Sequence, residues 1–438
     1  MIQSIDTKPG EGVVHTIVPT QAAAPAAATA PAAVPAPVAA RATRGLTGTP
    51  ALYLLASLIV SLLASSSAPT PLYAFYQKEW GFSPITTTVV FGIYALSVLG
   101  GLLTLGKFSD YVGRRPVLLG ALAAQIAAMV VFATASGVPA LMTARVIQGL
   151  ATGAALGAIG AAMLEVDPKR GTLANAVAPG TGTATGALLS ALLVRYLPAP
   201  THLVYYVVLG VFALQLAGVA LLRETVTAKP GALASLKPEI TLPRQVRGPV
   251  AVAAPVLFAV WALAGLYGAL GPAVVSTLTG STSIVLGGLS LFVLAGAAVL
   301  AVIALRHAQP QFVMLTGILA LVLGVVVTLV ALSAKSPALF FVGTGISGIG
   351  FGSGFQGGIR TVVPLVAPHE RSGVLSLLYI VSYLGMGVPA VIAGFLTVHG
   401  AGLIGATREY GAALIVLAAL ALVGLLRSRV AQRVAERA

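Results

Sequence analysis

Twelve separate runs of apolar residues, each long enough to cross a bilayer, constrain this 438-residue chain more than any other feature. A helix spanning the hydrocarbon needs about 20 apolar residues at ~1.5 Å of rise each. Runs of that kind fall at about 51–71, 86–106, 116–135, 139–163, 173–194 and 203–222. They resume at about 249–276, 283–305, 312–333, 337–358, 373–396 and 410–426. Only 8% of the residues are charged and 58% are hydrophobic, whereas a soluble domain carries about a quarter charged. The chain therefore reads as an all-α integral membrane protein. The polar stretch 223–248 divides the spans six and six. Residues 249–428 thus form a second bundle after a first at 49–222.

Ahead of the first span, residues 1–48 include an Ala/Pro tract (A-A-A-P-A-A-A-T-A-P-A-A-V-P-A-P). It has no bulky apolar core, which argues against a signal peptide. Its prolines oppose a helix, so a disordered tail is expected. Residues 429–438 form a short basic tail. The 25 Lys and Arg exceed the 11 Asp and Glu by 14, a balance that in a soluble protein would suggest nucleic acid. Here the cations sit between spans. With the N-terminus inside, twenty fall on the inner side and four on the outer, and Arg145 alone lies within a span. Basic loops stay cytoplasmic. The expectation is a multi-pass protein of the cytoplasmic membrane with both termini inside, and no nucleic-acid partner.

Chemistry that would mark an enzyme is missing from the sequence. There is no cysteine, the five histidines (His15, His202, His307, His369, His399) show no ligand spacing, and no pair of carboxylates or activated nucleophile falls at bilayer depth. No cofactor or metal is called for. A channel more often has few spans and assembles as an oligomer, whereas twelve spans favour a self-contained monomeric transporter. The halves also echo each other. Asp167-Pro168-Lys169-Arg170-Gly171 and Ala367-Pro368-His369-Glu370-Arg371-Ser372-Gly373 occupy corresponding turns, as parallel repeats would place them.

Between the second and third spans the chain reads Gly106-Lys107-Phe108-Ser109-Asp110-Tyr111-Val112-Gly113-Arg114-Arg115-Pro116. The glycines permit a tight turn, Pro116 suits a first helical turn, and Asp110 stands as the one acid among cations. An acid there can pair with an arginine or meet a helix N-terminus. A simple topological anchor explains the arginines but not Asp110 or the glycine spacing. Gly106, Asp110, Gly113, Arg114 and Arg115 match at every defined position the loop signature of the major facilitator superfamily, which the chain resembles over residues 49–428. That resemblance implies two pseudo-symmetric six-helix bundles that rock about a central cleft. It also implies a gating loop whose Asp110 and Arg114 face the start of the eleventh span near Gly373.

In the fourth span, Arg145-Val146-Ile147-Gln148-Gly149 is similar to that family's second motif, found in twelve-span drug:proton antiporters and linked there to proton coupling. Arg145, Gln148, Gly149, Thr152 and Leu156 share one helical face. A charge in a span must face protein or water. Arg145 is roughly 9 Å of rise beyond Pro139, so snorkelling to the outer interface stands as the alternative. The row Gly149, Gly153, Gly157, Gly160 favours close helix packing. The antiporter motif of the fifth span is only partial, since its Gly-Pro pair falls on Ala184-Thr185 and Pro179 comes earlier.

Cavity candidates are Ser65, Ser66, Tyr94, Gln125, Trp261, Tyr267, Gln356, Tyr379 and Tyr383, each equally able to serve as a packing residue. Tyr73, Phe75, Tyr76 and Trp80 read as an interfacial belt. None of the eleven acids lies mid-span, which disfavours a cationic solute. A neutral or amphipathic small molecule fits better, and the resemblance to drug:proton antiporters implies its efflux, with protons as a partner if transport is coupled. The alternative is uptake or exchange of an organic anion or sugar-like metabolite.

Overall fold

The computed structural model describes residues 45–367 and 370–435, with side chains to residue 427. The expected tail falls almost entirely outside these residues, as do Pro368 and His369 of the internal echo. Twelve helices are long and apolar enough to span a membrane. They are α1 (Gly48–Ser67), α2 (Pro84–Leu105), α3 (Arg114–Ala133), α4 (Val138–Val166), α5 (Pro168–Tyr196) and α6 (Leu203–Ala220). After the 223–248 segment come α7 (Arg247–Ala269), α8 (Ile284–Ala304), α9 (Pro310–Ala334), α10 (Pro337–Val362), α11 (Arg371–His399) and α12 (Gly402–Ala435). Among the described residues the one extended pairing is a bridge between Leu46 and Leu222, where Leu46 N–H donates to the Leu221 carbonyl at 2.7 Å. It ties the residues just before α1 to the end of α6, inside the stretch expected to be free tail.

Local chemistry sets the helix starts. Pro84, Pro139, Pro168, Pro310 and Pro337 occupy first turns, where a missing N–H costs nothing. Asp167 accepts from the Lys169 and Arg170 amides and caps α5, and Ser336 does the same for α10 through the Leu339 amide. Three spans differ from the hydropathy reading. α1 does not stop at the surface. After a break at Ala68–Leu72 the chain continues as a short helix, Tyr73–Trp80, and α7 repeats the pattern with Gly271–Thr279. α12 starts at Gly402, eight residues earlier than expected, because Arg408 and Glu409 are helical residues beyond the apolar run rather than loop.

The two halves pack alike. Within the first, α2 and α3 each pack on α4, α1 packs on α5, and α3 on α6; within the second, α8 and α9 pack on α10, α7 on α11, and α9 on α12. Between the bundles, α2 lies along α11 and α5 along α8, two contacts that exchange under the six-helix shift. Glycine governs how close these helices come. A Cβ on Gly153 would sit 2.4 Å from the Val98 carbonyl oxygen of α2, and one on Gly149 would meet Ser97 Cβ at 2.5 Å. The Gly149–Gly157 row is thus a packing surface for α2, as in other small-residue membrane interfaces.

A Gly153→Val chain should lose stability by about 1–3 kcal/mol through overpacking. A Gly210→Ala chain, whose new methyl meets nothing within 4 Å, should melt at or slightly above the parent temperature. Thermal melts of the two variants in detergent check the contrast; equal melting would refute tight α2–α4 packing.

Candidate transport site and the basic loop

Two regions carry the polar chemistry: a buried network around Arg145, and a charged cluster at the face bearing the 106–113 loop. Arg145, in the second turn of α4, is 1% exposed. It does not snorkel. Its Nε donates to the Tyr73 hydroxyl at 2.9 Å, and Nη1 donates to the Ser66 carbonyl and to Gln148 Oε1, both at 2.8 Å; Nη2 also reaches the Tyr73 hydroxyl. The guanidinium lies 5.0 Å from the Tyr94 ring centroid, 5.6 Å from that of Tyr73 and 5.7 Å from that of Phe132, so ring faces replace part of its lost hydration. Gln148 Nε2 donates in turn to the Ser65 carbonyl at 3.1 Å. Arg145 and Gln148 thereby join α4 to the broken end of α1.

The break in α1 explains why Tyr73 was misread. Residues 73–80 turn in over the bundle, leaving Tyr73 4% and Tyr76 2% exposed, with the Tyr76 hydroxyl donating to that of Tyr205 at 3.1 Å. The expected interfacial belt therefore holds only for Phe75, which is exposed. Trp80 stacks on Tyr76 with centroids 4.6 Å apart. The signal for Tyr73 was present in the sequence as the Pro69 and Pro71 breaks together with an unpaired arginine that needed an acceptor.

Of the other cavity candidates, Ser65 and Ser66 return their hydroxyls to their own helix, to the Leu62 and Leu63 carbonyls. Gln125 is fully buried between α3 and α4, donating to Thr152 Oγ1 at 2.8 Å. Tyr267 bonds Thr328 inside the second bundle at 2.8 Å, and Gln356 donates to the Val302 carbonyl of α8 at 3.3 Å. These side chains bond within their own bundles, while the Gln125 and Gln356 Oε1 atoms are buried without a hydrogen-bond partner among the described residues. The remaining four come together. Tyr94 of α2 and Tyr383 of α11 belong to one apolar cluster across the bundles, against which Trp261 of α7 and Tyr379 of α11 pack. Trp261 lies 4.7 Å from Tyr383, 5.6 Å from Phe355 and 6.1 Å from Phe351, ring centre to ring centre. Its indole Nε1 is buried without a hydrogen-bond partner among the described residues. Phe351 and Phe355 of α10 complete this aromatic cluster at the bundle interface, and neither was singled out by the sequence.

At the basic face, Arg114 pairs with Asp110 and with Glu165, the latter at 2.9 Å. Gly113 has φ +106° and no side chain with which to cap α3. Glu224 supplies the cap from the far end of α6, accepting the Arg114 and Arg115 amides at 2.9 Å each. A Cβ on Gly113 would meet Glu224 Oε2 at 2.5 Å, so both backbone and space require glycine there. Gly106 carries a similar constraint against the Leu102 carbonyl. The resemblance ties docking of Asp110 and Arg114 near Gly373 to the outward-facing state. No hydrogen bond or ion pair joins them to α11 among the described residues, and Gly373 is covered by Thr241. The segment after α6 reaches across instead: Glu239 pairs with Lys107, and Gln245 donates to Glu370.

The Major Facilitator Superfamily sequence profile matches residues 53–307, more than half the chain, and the protein belongs to that family. Its architecture is that of a transporter of small molecules and not of an enzyme. Similar solved structures include the nucleoside transporter NupG in a mutant form, with TM-score 0.65 and 14% identity over 85% of this chain and 98% of the other. A second NupG structure gives TM-score 0.63 at the same identity and coverage. No curated protein sequence matches the chain. At that identity the likeness establishes the fold.

Removing the Tyr73 hydroxyl leaves Arg145 with two fewer acceptor contacts. Tyr73→Phe should cost about 1–3 kcal/mol, read as a lowered melting temperature; an unchanged melt would show that Arg145 finds another partner. Asp110→Asn, which leaves Glu165 as the one charged partner of Arg114, should reduce transport severalfold while insertion and expression stay near normal, as measured by flux per inserted molecule. Undiminished flux would make the loop a topological anchor only.

Proposed function

We propose that this chain moves a small organic solute across the cytoplasmic membrane by alternating access, with the solute held between the bundles among Tyr94, Trp261, Tyr379 and Tyr383. The observation that carries this reading is the aromatic cluster where the bundles meet. It draws rings from both halves of the molecule, so a bound solute touches both bundles and is released when they part. Rings and an unpartnered indole N–H suit a solute with a flat apolar face and a hydrogen-bond acceptor. The acids that pair with Arg114 lie at the basic face, and of the two buried arginines Arg145 alone has no acid partner among the described residues, so a cationic solute is disfavoured.

The working direction is efflux of a neutral or amphipathic compound, on the resemblance of the 106–115 and 145–149 motifs to drug:proton antiporters. Uptake of a metabolite is the second reading, favoured by the nucleoside transporters among the structural neighbours. The basic loops support cytoplasmic termini. Proton coupling, where present, would run through Asp110 and Glu165 at the membrane boundary or through the solute. The chain is proposed to work as a monomer.

Flux of a solute panel into and out of oriented proteoliposomes, with and without a pH gradient, tests the reading. Solute-specific, saturable flux is expected for non-cationic compounds. Outward flux that rises several-fold with an inward proton gradient supports antiport, and gradient-indifferent flux eliminates coupling. Unsaturable flux of all solutes alike would contradict a carrier.

A further inference from the structure

The Arg145 charge has no counter-ion. Its hydrogen-bond partners are a phenol, a peptide carbonyl and an amide, all neutral. The ion pairs of the described residues lie elsewhere, on Lys107, Arg114 and Arg170. Arg114, the other buried arginine, is neutralised by two acids. Arg360 lies toward the basic face on α10 and donates to the Leu305 and Ala308 carbonyls. A guanidinium presents five N–H donors. The contacts of Arg145 use one at Nε, two at Nη1 and one at Nη2, which leaves one Nη2 hydrogen without an acceptor.

A permanent cation at membrane depth is costly, and one that faces only neutral groups gives its surroundings a positive potential. That potential reaches the cleft. Tyr94 lies over the guanidinium on one side, at 5.0 Å, and belongs with Tyr383 to the aromatic cluster on the other. Tyr383 contacts Trp261 at 4.7 Å and Tyr379 at 6.5 Å. Neither the Tyr379 nor the Tyr383 hydroxyl has a hydrogen-bond partner among the described residues. A charge of one sign and a set of aromatic ring faces thus lie side by side.

We propose that the cleft selects a monoanionic solute with a planar face, its carboxylate drawn to Arg145 and its ring placed among Trp261, Tyr379 and Tyr383. The inference rests on the reading of this cleft as the transport site. It deepens that reading by assigning the solute's charge. The solute anion supplies the counter-charge that the protein omits, and it takes up the unused Nη2 donor as Tyr94 yields its place over the guanidinium. A planar guanidinium matches a carboxylate in shape as well as in charge.

The chain has two tryptophans, Trp80 and Trp261, so a Trp80→Phe chain carries a single fluorophore in the cleft. Benzoate, benzamide and benzylammonium present the same ring with negative, zero and positive charge, and each is titrated against Trp261 fluorescence in the purified full-length protein. Benzoate should quench saturably and bind roughly tenfold or more tighter than benzamide, about 1.4 kcal/mol, and benzylammonium should not compete. In Arg145→Gln the benzoate advantage should vanish, and in Arg145→Lys it should persist in weakened form. Equal binding of benzoate and benzamide, or an undiminished benzoate advantage in a folded Arg145→Gln chain, overturns the charge assignment and leaves the cleft reading in place. No response to any of the three probes overturns both. If Arg145→Gln does not fold, the ranking of the three probes on the chain that retains Arg145 decides alone.

Discussion

The contact between the Arg145 guanidinium and the broken end of α1 organises the first bundle. Inside a bilayer no water completes a hydrogen bond, so an arginine placed there must find every acceptor within the protein. Four of its five N–H groups are met by the Ser66 carbonyl, the Tyr73 phenol and Gln148. Two of those acceptors, the Ser66 carbonyl and the Tyr73 phenol, flank the Pro69 and Pro71 interruption of α1, and Tyr73 lies on the packed face of the helix that follows. The break in α1, the burial of Tyr73 and the position of Tyr94 over the charge follow from one requirement. The same arrangement sets a cation behind an aromatic cleft shared by both halves.

At the basic face the logic is electrostatic rather than apolar. Gly113 must be glycine for its backbone, and α3 would then begin uncapped. Glu224 closes that deficit and binds the end of α6 to the loop. Beyond it, the segment to α7 reaches Lys107 through Glu239 and covers Gly373 with Thr241. The connection between bundles is therefore a strap fastened to both, rather than a loose tether. It runs between the 106–113 loop and the start of α11, the region near Gly373 that the family resemblance has Asp110 and Arg114 face.

The spans were legible in the sequence because hydropathy over about 20 residues is a strong signal, and the loop because its residues have fixed spacing. The glycine row of α4 was also legible: four-residue spacing gives one face, and that face meets α2. What escaped was tertiary. Nothing near Glu224 marks it as the cap of a helix that begins 110 positions earlier. Tyr73 resembled an interfacial aromatic because its neighbours Phe75 and Trp80 do, and only the inward turn of its short helix separates them. Of the nine cavity candidates, Tyr94, Trp261, Tyr379 and Tyr383 converge. Ser65, Ser66, Gln125, Tyr267 and Gln356 instead hydrogen-bond within their own bundles, a distinction that depends on which helix face meets a neighbour.

The central claim is that the two bundles rock about this cleft. Because the chain has no cysteine, spin labels can be placed in pairs without background. One pair, at Lys169 and Arg371, spans the basic face; another, at Arg195 and Lys335, spans the opposite face. Distances measured by double electron–electron resonance should move in opposite senses when a transported solute is added, one pair lengthening as the other shortens. Two pairs that stay fixed, or that lengthen together, would contradict the account.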